Sequence, residues 1–191
     1  MTPFTVLTAR SAVLGGANVD TDQIIPARFL RKPRSAGYGN FLFHDLAAAR
    51  DAVLGAGVLF TGANFGCGSS REGAVYALVD AGVRCLVATS FGDIFAGNAI
   101  RNGLLTVVAR DDQAAELRQH AATGGTVTVD LPGQWITGAA GARMPFKIDP
   151  FCKQTLVEGL DDIAMTLSYA DALAAWAARD SAVRPWAAPS A

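Results

Sequence analysis

Asn64-Phe65-Gly66-Cys67-Gly68-Ser69-Ser70-Arg71-Glu72 is preceded by an apolar run, Val58 to Ala63, and followed by a run in which Ala74, Ala77, Leu78 and Ala81 recur at helical spacing. Gly82 is placed to end that helix, and Val83 to Thr89 forms a second apolar, β-prone run. Strand, glycine loop, helix and strand over this length predict two parallel strands joined by a crossover helix. Glycines at 66 and 68 allow a sharp turn, two hydroxyls follow, and an arginine stands where the helix would begin. The first N–H groups of a helix have no internal partner and its dipole makes that end partly positive. The loop therefore reads as a cradle for a carboxylate or phosphate. On spacing alone the alternative is that Ser69 or Ser70 merely caps the helix while Arg71 lies in solvent.

Three familiar loops are excluded. A phosphate-binding P-loop needs a lysine after its last glycine, a dinucleotide fingerprint needs glycine where Arg71 stands, and a nucleophile elbow needs glycines two residues either side of its serine. A free-standing anion-binding module and a serine hydrolase using Ser69 are the two readings from other classes. The missing elbow, with no marked histidine and aspartate partners, weighs against the hydrolase.

Outward from this centre, Phe91 to Asn102 repeats the loop-and-helix pattern before a strand, Leu104 to Ala109. A helix over Asp112 to Ala121 follows, with Asp111 or Asp112 available as its cap and Gly124-Gly125 after it. Thr126 to Leu131, Trp135 to Thr137 and Met144 to Ile148, separated by glycine turns, predict a small β-meander. Asp149 and Asp162 are placed to cap short helices, and Ala170, Leu173, Ala174 and Ala177 give a last helix an apolar face. On the N-terminal side, Thr5 to Thr8 and Ala12 to Leu14 read as strands. Asp20-Thr21-Asp22 places two carboxylates on one side of an extended segment or caps the turn towards Pro26. Lys32, Pro33, Arg34, Ser35, Gly37 and Gly39 make Arg31 to Asn40 a mobile loop, and Asp45 to Ala52 is a short helix. The fold class expected is α/β, with a mixed sheet in which β-rich termini surround a parallel strand-helix core. One domain is expected over 1–179, with a frayed tail at 180–191.

The chain has 191 residues and a formal charge of −1, from 16 basic and 17 acidic residues. That balance gives no electrostatic footprint for nucleic acid or an anionic membrane, so the expected partner is a protein or a small molecule. No export signal or membrane span is apparent, which makes the cytoplasm the default location. Cys67, Cys85 and Cys152 lack the paired spacing that holds zinc or an iron-sulfur cluster, so no metal is expected on this chain. His44 and His120 stand alone and receive no role.

Four motifs in order carry a resemblance. Asn64 to Glu72 resembles the serine-serine-arginine signature of the small swivelling domain of the aconitase superfamily, and especially the small-subunit family of the 3-isopropylmalate dehydratases. Asn18-Val19-Asp20-Thr21-Asp22-Gln23-Ile24-Ile25-Pro26 resembles that family's N-terminal motif. Ser90-Phe91-Gly92-Asp93-Ile94-Phe95, continuing through Asn98 to Leu105, resembles the segment after its second strand, and Gly159-Leu160-Asp161-Asp162-Ile163 with Thr166-Leu167 agrees near the C-terminus. The likeness spans about Asn18 to Trp176.

The resemblance implies a swivelling β/β/α domain of the aconitase C-terminal type. It implies a hydro-lyase that removes water from 2-isopropylmalate and returns it at the neighbouring carbon, in leucine biosynthesis. Ser69 would be the base, and Ser70 and Arg71 would hold a carboxylate. Asp20 and Asp22 would lie near the site, Arg28 would bind a substrate carboxylate, and the segment Phe29, Leu30, Arg31 and Lys32 would select the substrate. A [4Fe-4S] cluster would reside in a large partner subunit. Gly73 departs from the histidine usual in the leucine-pathway family. Related substrates of the methylmalate/citraconate, dimethylmalate or homoaconitate type therefore stand beside 2-isopropylmalate.

Overall fold

A computed structural model describes residues 1–138 and 141–187. By internal contacts the chain divides into two units, Met1–Gly159 and Leu160–Ala191. The first holds a seven-stranded sheet. Its strands are β1 (Val6–Val13), β2 (Val58–Phe60), β3 (Cys85–Ala88), β4 (Leu105–Val108), β5 (Thr126–Asp130), β6 (Trp135–Thr137) and β7 (Arg143–Pro145), in the spatial order β4-β3-β2-β1-β5-β6-β7. From β1 to β4 the pairings are parallel, and from β1 through β5 and β6 to β7 they are antiparallel. The expected mixed sheet is thus present, with β1 as the strand shared by its two halves.

Every residue of β2 and β3 is buried, as a parallel sheet covered on both faces requires. Alternate residues face different cores. Leu59 and Leu86 pack with Ala74, Leu78 and Phe95, whereas Val58, Phe60, Cys85 and Val87 pack with Leu117, Val129, Ile136 and Leu156. Cys85 is the small buried side chain expected, and its desolvated surroundings push the thiol pKa up.

The helices of this unit are α1 (Thr21–Ile24), α2 (Ala47–Val53), α3 (Glu72–Asp80), α4 (Asp93–Arg101), α5 (Asp111–Ala122) and α6 (Pro150–Glu158). Asp149 caps α6, accepting hydrogen bonds from the backbone N–H groups of Phe151 and Cys152. Neither Asp111 nor Asp112 caps α5. Its N-cap is Arg110, whose N–H donates to the Gln113 side chain, and Asp112 instead pairs with the Arg110 guanidinium.

Two expectations change. The two strands predicted between Thr5 and Leu14 are one strand, because Ala9 and Arg10 are held in extended form by β5 and Ser11 continues directly into the pairing with β2. The segment predicted as a mobile loop consists of short 3-10 turns at Ala27–Arg31, Arg34–Ala36 and Tyr38–Phe41. Tyr38 is buried there, and its hydroxyl donates to the Lys32 carbonyl at 2.9 Å. A residue with one hydrogen-bonding tip and a large apolar body pins such a segment as effectively as a regular helix would.

The second unit contains α7 (Asp162–Leu167) and α8 (Ala170–Val183), followed by a 3-10 turn at Pro185–Ala187. Asp161, rather than Asp162, caps α7 by accepting from the Ala164 N–H at 2.7 Å. The last helix runs three residues beyond Asp180, with Arg184 Nε donating to Asp180 Oδ1 at 2.8 Å. Residues 188–191 of the predicted tail lie outside the described residues. Among the described residues no helix is long and apolar enough to cross a membrane.

Candidate active site

Three of the four sequence motifs meet at the ends of β1, β2 and β3, the edge at which open α/β sheets bind ligands. Asn18 donates its backbone N–H to the Ala63 carbonyl, Gly66 donates to Val19, and Thr21 donates to Cys67. An isolated bridge joins Asp20 to Cys67, and a second joins Phe65 to Phe91. On the far side the Ser90 hydroxyl accepts from the Asn64 N–H at 2.8 Å, and Gly92 donates to the Phe65 carbonyl at 2.9 Å. The signature loop is thereby clamped between two segments distant in sequence.

Gly66 takes φ 74° and Gly68 takes φ 85°, in the left-handed region. At Gly66 a side chain is excluded twice over, since a Cβ would run into the Phe95 ring. That close approach of backbone to ring turns the chain so that Ser69 and Ser70 emerge exposed just before α3. Arg71 is the N-cap of α3 in extended conformation, and no side chain caps the helix. Among the described residues neither serine hydroxyl has a hydrogen-bond partner. The capping alternative is therefore not what this structure shows, and both hydroxyls are free beside a helix end that carries partial positive charge.

Arg71 is mostly buried, with its side chain 23% exposed, and Nη1 forms an ion pair with Asp22 Oδ1. Its Nε and Nη2 donors have no partner among the described residues, which leaves one edge of the guanidinium for a second carboxylate. Asp22 is thus brought to the site. Asp20 serves differently: its carboxylate accepts from the Gln23 N–H at 2.7 Å, and the Gln23 side chain accepts from the Asp20 N–H at 3.1 Å, a capping box that starts α1.

Arg28 lies in the first 3-10 turn, where Nη1 donates to Asp45 Oδ2 at 2.7 Å and Nη2 donates to Asp45 Oδ1. His44 Nδ1 sits 3.0 Å from the same carboxylate. Arg28 and His44 together hold the Asp45 carboxyl well below the usual carboxylate range, the Arg28 hydrogen bond being the larger cause. Phe29 stacks on Phe41 with centroids 4.3 Å apart, and Lys32 stands over the Phe41 ring at 5.2 Å. Arg31 is exposed and Leu30 is half-buried against α3.

Sequence reasoning passes over three residues that build this arrangement. Thr21 is buried, and its hydroxyl donates to the Ser69 carbonyl at 3.0 Å. Asp45 and His44 organise Arg28. Thr21 had a signal, a hydroxyl between two carboxylates in a motif next to the site. Asp45 and His44 had none, because their partner is distant in sequence. Among the described residues no group of three or more histidine, cysteine, aspartate or glutamate side chains converges to hold a metal ion. The side chains of the described residues therefore do not fit an iron-sulfur cluster.

Residues 54–112 match the aconitase C-terminal domain family. The 3-isopropylmalate dehydratase small subunit of Xanthobacter autotrophicus is 44% identical over 200 residues, covering 97% of this chain and all of that one. That of Leptospira interrogans is 42% identical over 202 residues, covering 97% of this chain and 98% of its own. A crystal structure of 3-isopropylmalate dehydratase from Methanocaldococcus jannaschii superposes with a TM-score of 0.70 at 26% identity, covering 88% of this chain and 98% of that one. With a shared fold, full-length identity above two-fifths and the serine-serine-arginine loop at the strand ends, the chain belongs to the family of 3-isopropylmalate dehydratase small subunits.

Proposed function

We propose that this chain supplies the proton-transfer and carboxylate-binding half of an isomerase that interconverts 2-isopropylmalate and 3-isopropylmalate, completed by a large aconitase-like subunit. The [4Fe-4S] cluster of such an enzyme is assigned to that large subunit, because the side chains of the described residues do not fit it. One observation carries the reading. The hydroxyls of Ser69 and Ser70 are exposed and unpartnered beside Arg71, at an uncapped helix start.

In this reading the free edge of Arg71 and the Ser70 hydroxyl hold a substrate carboxylate. Ser69, as its alkoxide, takes a proton from the carbon next to the one bearing the hydroxyl. The C–H electron pair becomes the second bond between the two carbons as the hydroxyl leaves with its own bonding pair as hydroxide, and this hydroxide together with the proton now on Ser69 makes up the water lost from the unsaturated diacid. Addition of water in the opposite sense puts the hydroxyl on the other carbon. A serine hydroxyl is a poor base, so the alkoxide must be stabilised, and the positive end of α3, the turned backbone N–H groups and the guanidinium all favour negative charge there. Arg28, held in place by Asp45, binds a substrate carboxylate, and the Phe29–Lys32 segment acts on the substrate's side group.

The test is reconstitution of the full chain with a cluster-loaded large subunit. The chain alone should turn over neither malate, and the complex should interconvert them. Ser69→Ala should lower kcat by roughly 10²- to 10⁴-fold with KM little changed. Turnover by the isolated metal-free chain, or an undiminished kcat in the Ser69→Ala complex, would overturn the proposal.

A further inference from the structure

Gly73 is the second residue of α3 and is buried. A glycine inside a helix costs about 0.5–1 kcal/mol relative to alanine, so its presence calls for a local reason. The reason is spatial. A Cβ at Gly73 would fall on Leu30 Cδ2, well under the 3.0 Å that Cβ atoms keep from their neighbours, and would lie 3.4 Å from Tyr38 Cε2. The Leu30 side chain thus fills the place that any residue other than glycine would need, two positions past Arg71.

Leu30 belongs to a segment seated along the length of α3. At the far end of that helix the Asp80 carboxylate accepts from the Tyr38 N–H at 3.2 Å and pairs with Arg34 at 3.3 Å. Midway, the Arg34 guanidinium lies 4.0 Å from the Tyr76 ring centroid, and Tyr38 meets the same ring at 6.1 Å. The Tyr38 hydroxyl then reaches back to the Lys32 carbonyl. Four of these contacts hold the segment to the middle and end of α3, whereas near the start of the helix Leu30 is seated against the bare Cα of Gly73.

We propose that Gly73 is a positioning residue for substrate choice. By leaving room for Leu30 it sets how far the Ala27–Lys32 segment closes over the site, and therefore the size of alkyl group that fits beside the bound carboxylate. The inference rests on the isopropylmalate reading and adds to it a residue that touches no substrate.

The experiment uses the holoenzyme with both subunits and compares kcat/KM for 2-isopropylmalate with that for 2-methylmalate, whose alkyl group is smaller. Turnover of 2-isopropylmalate by the unaltered complex is the first readout, and its absence would defeat the underlying reading rather than this inference. Given turnover, Gly73→Ala should move Leu30 aside and shift the ratio of the two kcat/KM values by about 10-fold or more, the range that one or a few methylenes command in an apolar pocket. In a Leu30→Ala background the same substitution should leave the ratio where Leu30→Ala alone puts it, since the added methyl then meets no leucine. If Gly73→Ala alone does not assemble, the double variant should still do so, with the ratio of Leu30→Ala. The inference is overturned if Gly73→Ala lowers both kcat/KM values equally, or if its effect on the ratio persists unchanged without Leu30.

Discussion

Replacing Thr21 by valine removes one hydrogen bond and little else. The residue is 1% exposed, valine has nearly its shape, and the backbone bond from Thr21 N to the Cys67 carbonyl is untouched. What disappears is the 3.0 Å bond from the hydroxyl to the Ser69 carbonyl, worth about 0.5–1.5 kcal/mol net. For a chain of 191 residues that is a fall in Tm of about 1–6 °C. The larger effect should be on rate, because this bond fixes the peptide that carries Ser69, the proposed base. Misplacing a reacting group by about 1 Å costs up to roughly 10²-fold. Thr21→Ser is the control. It keeps the donor and loses a buried methyl group, costing about 1 kcal/mol of stability. Calorimetry on the two variants should therefore give similar small losses, while steady-state assays of the reconstituted enzyme should give a kcat 10- to 100-fold down for valine and near normal for serine. Equal kcat in the two variants, whether both low or both normal, would show that the Thr21–Ser69 bond does not orient the base.

Two other outcomes follow from the same geometry. Arg71→Lys should raise KM strongly with a smaller change in kcat, because an ammonium cannot pair with Asp22 on one edge and grip a substrate carboxylate with the other; steady-state kinetics would show it. The Asp45 carboxyl titrates below its ordinary value of about 3.9, so the stabilisation of its pair with Arg28 is complete above that pH and disappears only as pH falls through the lower native value. A carboxyl-carbon NMR titration should accordingly show no Asp45 midpoint between pH 4 and 9, and Asp45→Asn should alter kcat/KM at neutral pH by releasing Arg28.

The parts of this fold that sequence made plain are those whose determinants are local. Val58 to Thr89 reads as strand, helix and strand because both sheet faces need apolar residues and glycines mark the ends. The meander is equally plain in the alternation of Thr126 to Asp130. Determinants that cross the chain left no comparable trace. Ala9-Arg10-Ser11 has little strand propensity, yet it is extended because Val127 and Thr126 pair with Ala9 and Arg10 and Val58 pairs with Ser11. The composition of Arg31 to Asn40 spells a loop, and Tyr76 and Asp80, far along the chain, help to make it a docked segment. The same division runs through the site. The glycine turn and its exposed serines were readable in order, whereas the pairing of Arg28 with Asp45 and of Arg71 with Asp22 required side chains that the fold alone brings together.

The double duty of β1 bears on how the protein is made. Val13 finds its parallel neighbour at Phe60, but the antiparallel neighbour of Thr8 is Thr128. At about 5–20 residues per second, roughly 4–14 s of synthesis separate Phe60 from Asp130. For most of that interval, from Arg71 onward, the nascent chain already holds both serines and both arginines of the site, while one edge of its central strand has no mate. Such an edge is a template for another chain. The exposed Thr8 and Arg10 on that strand are polar where a bare apolar ribbon would invite intermolecular pairing. Crowding of nascent chains on one messenger should therefore be most hazardous before residue 130 leaves the ribosome, and Arg10→Val should lower the soluble yield more than it lowers the stability of the finished protein.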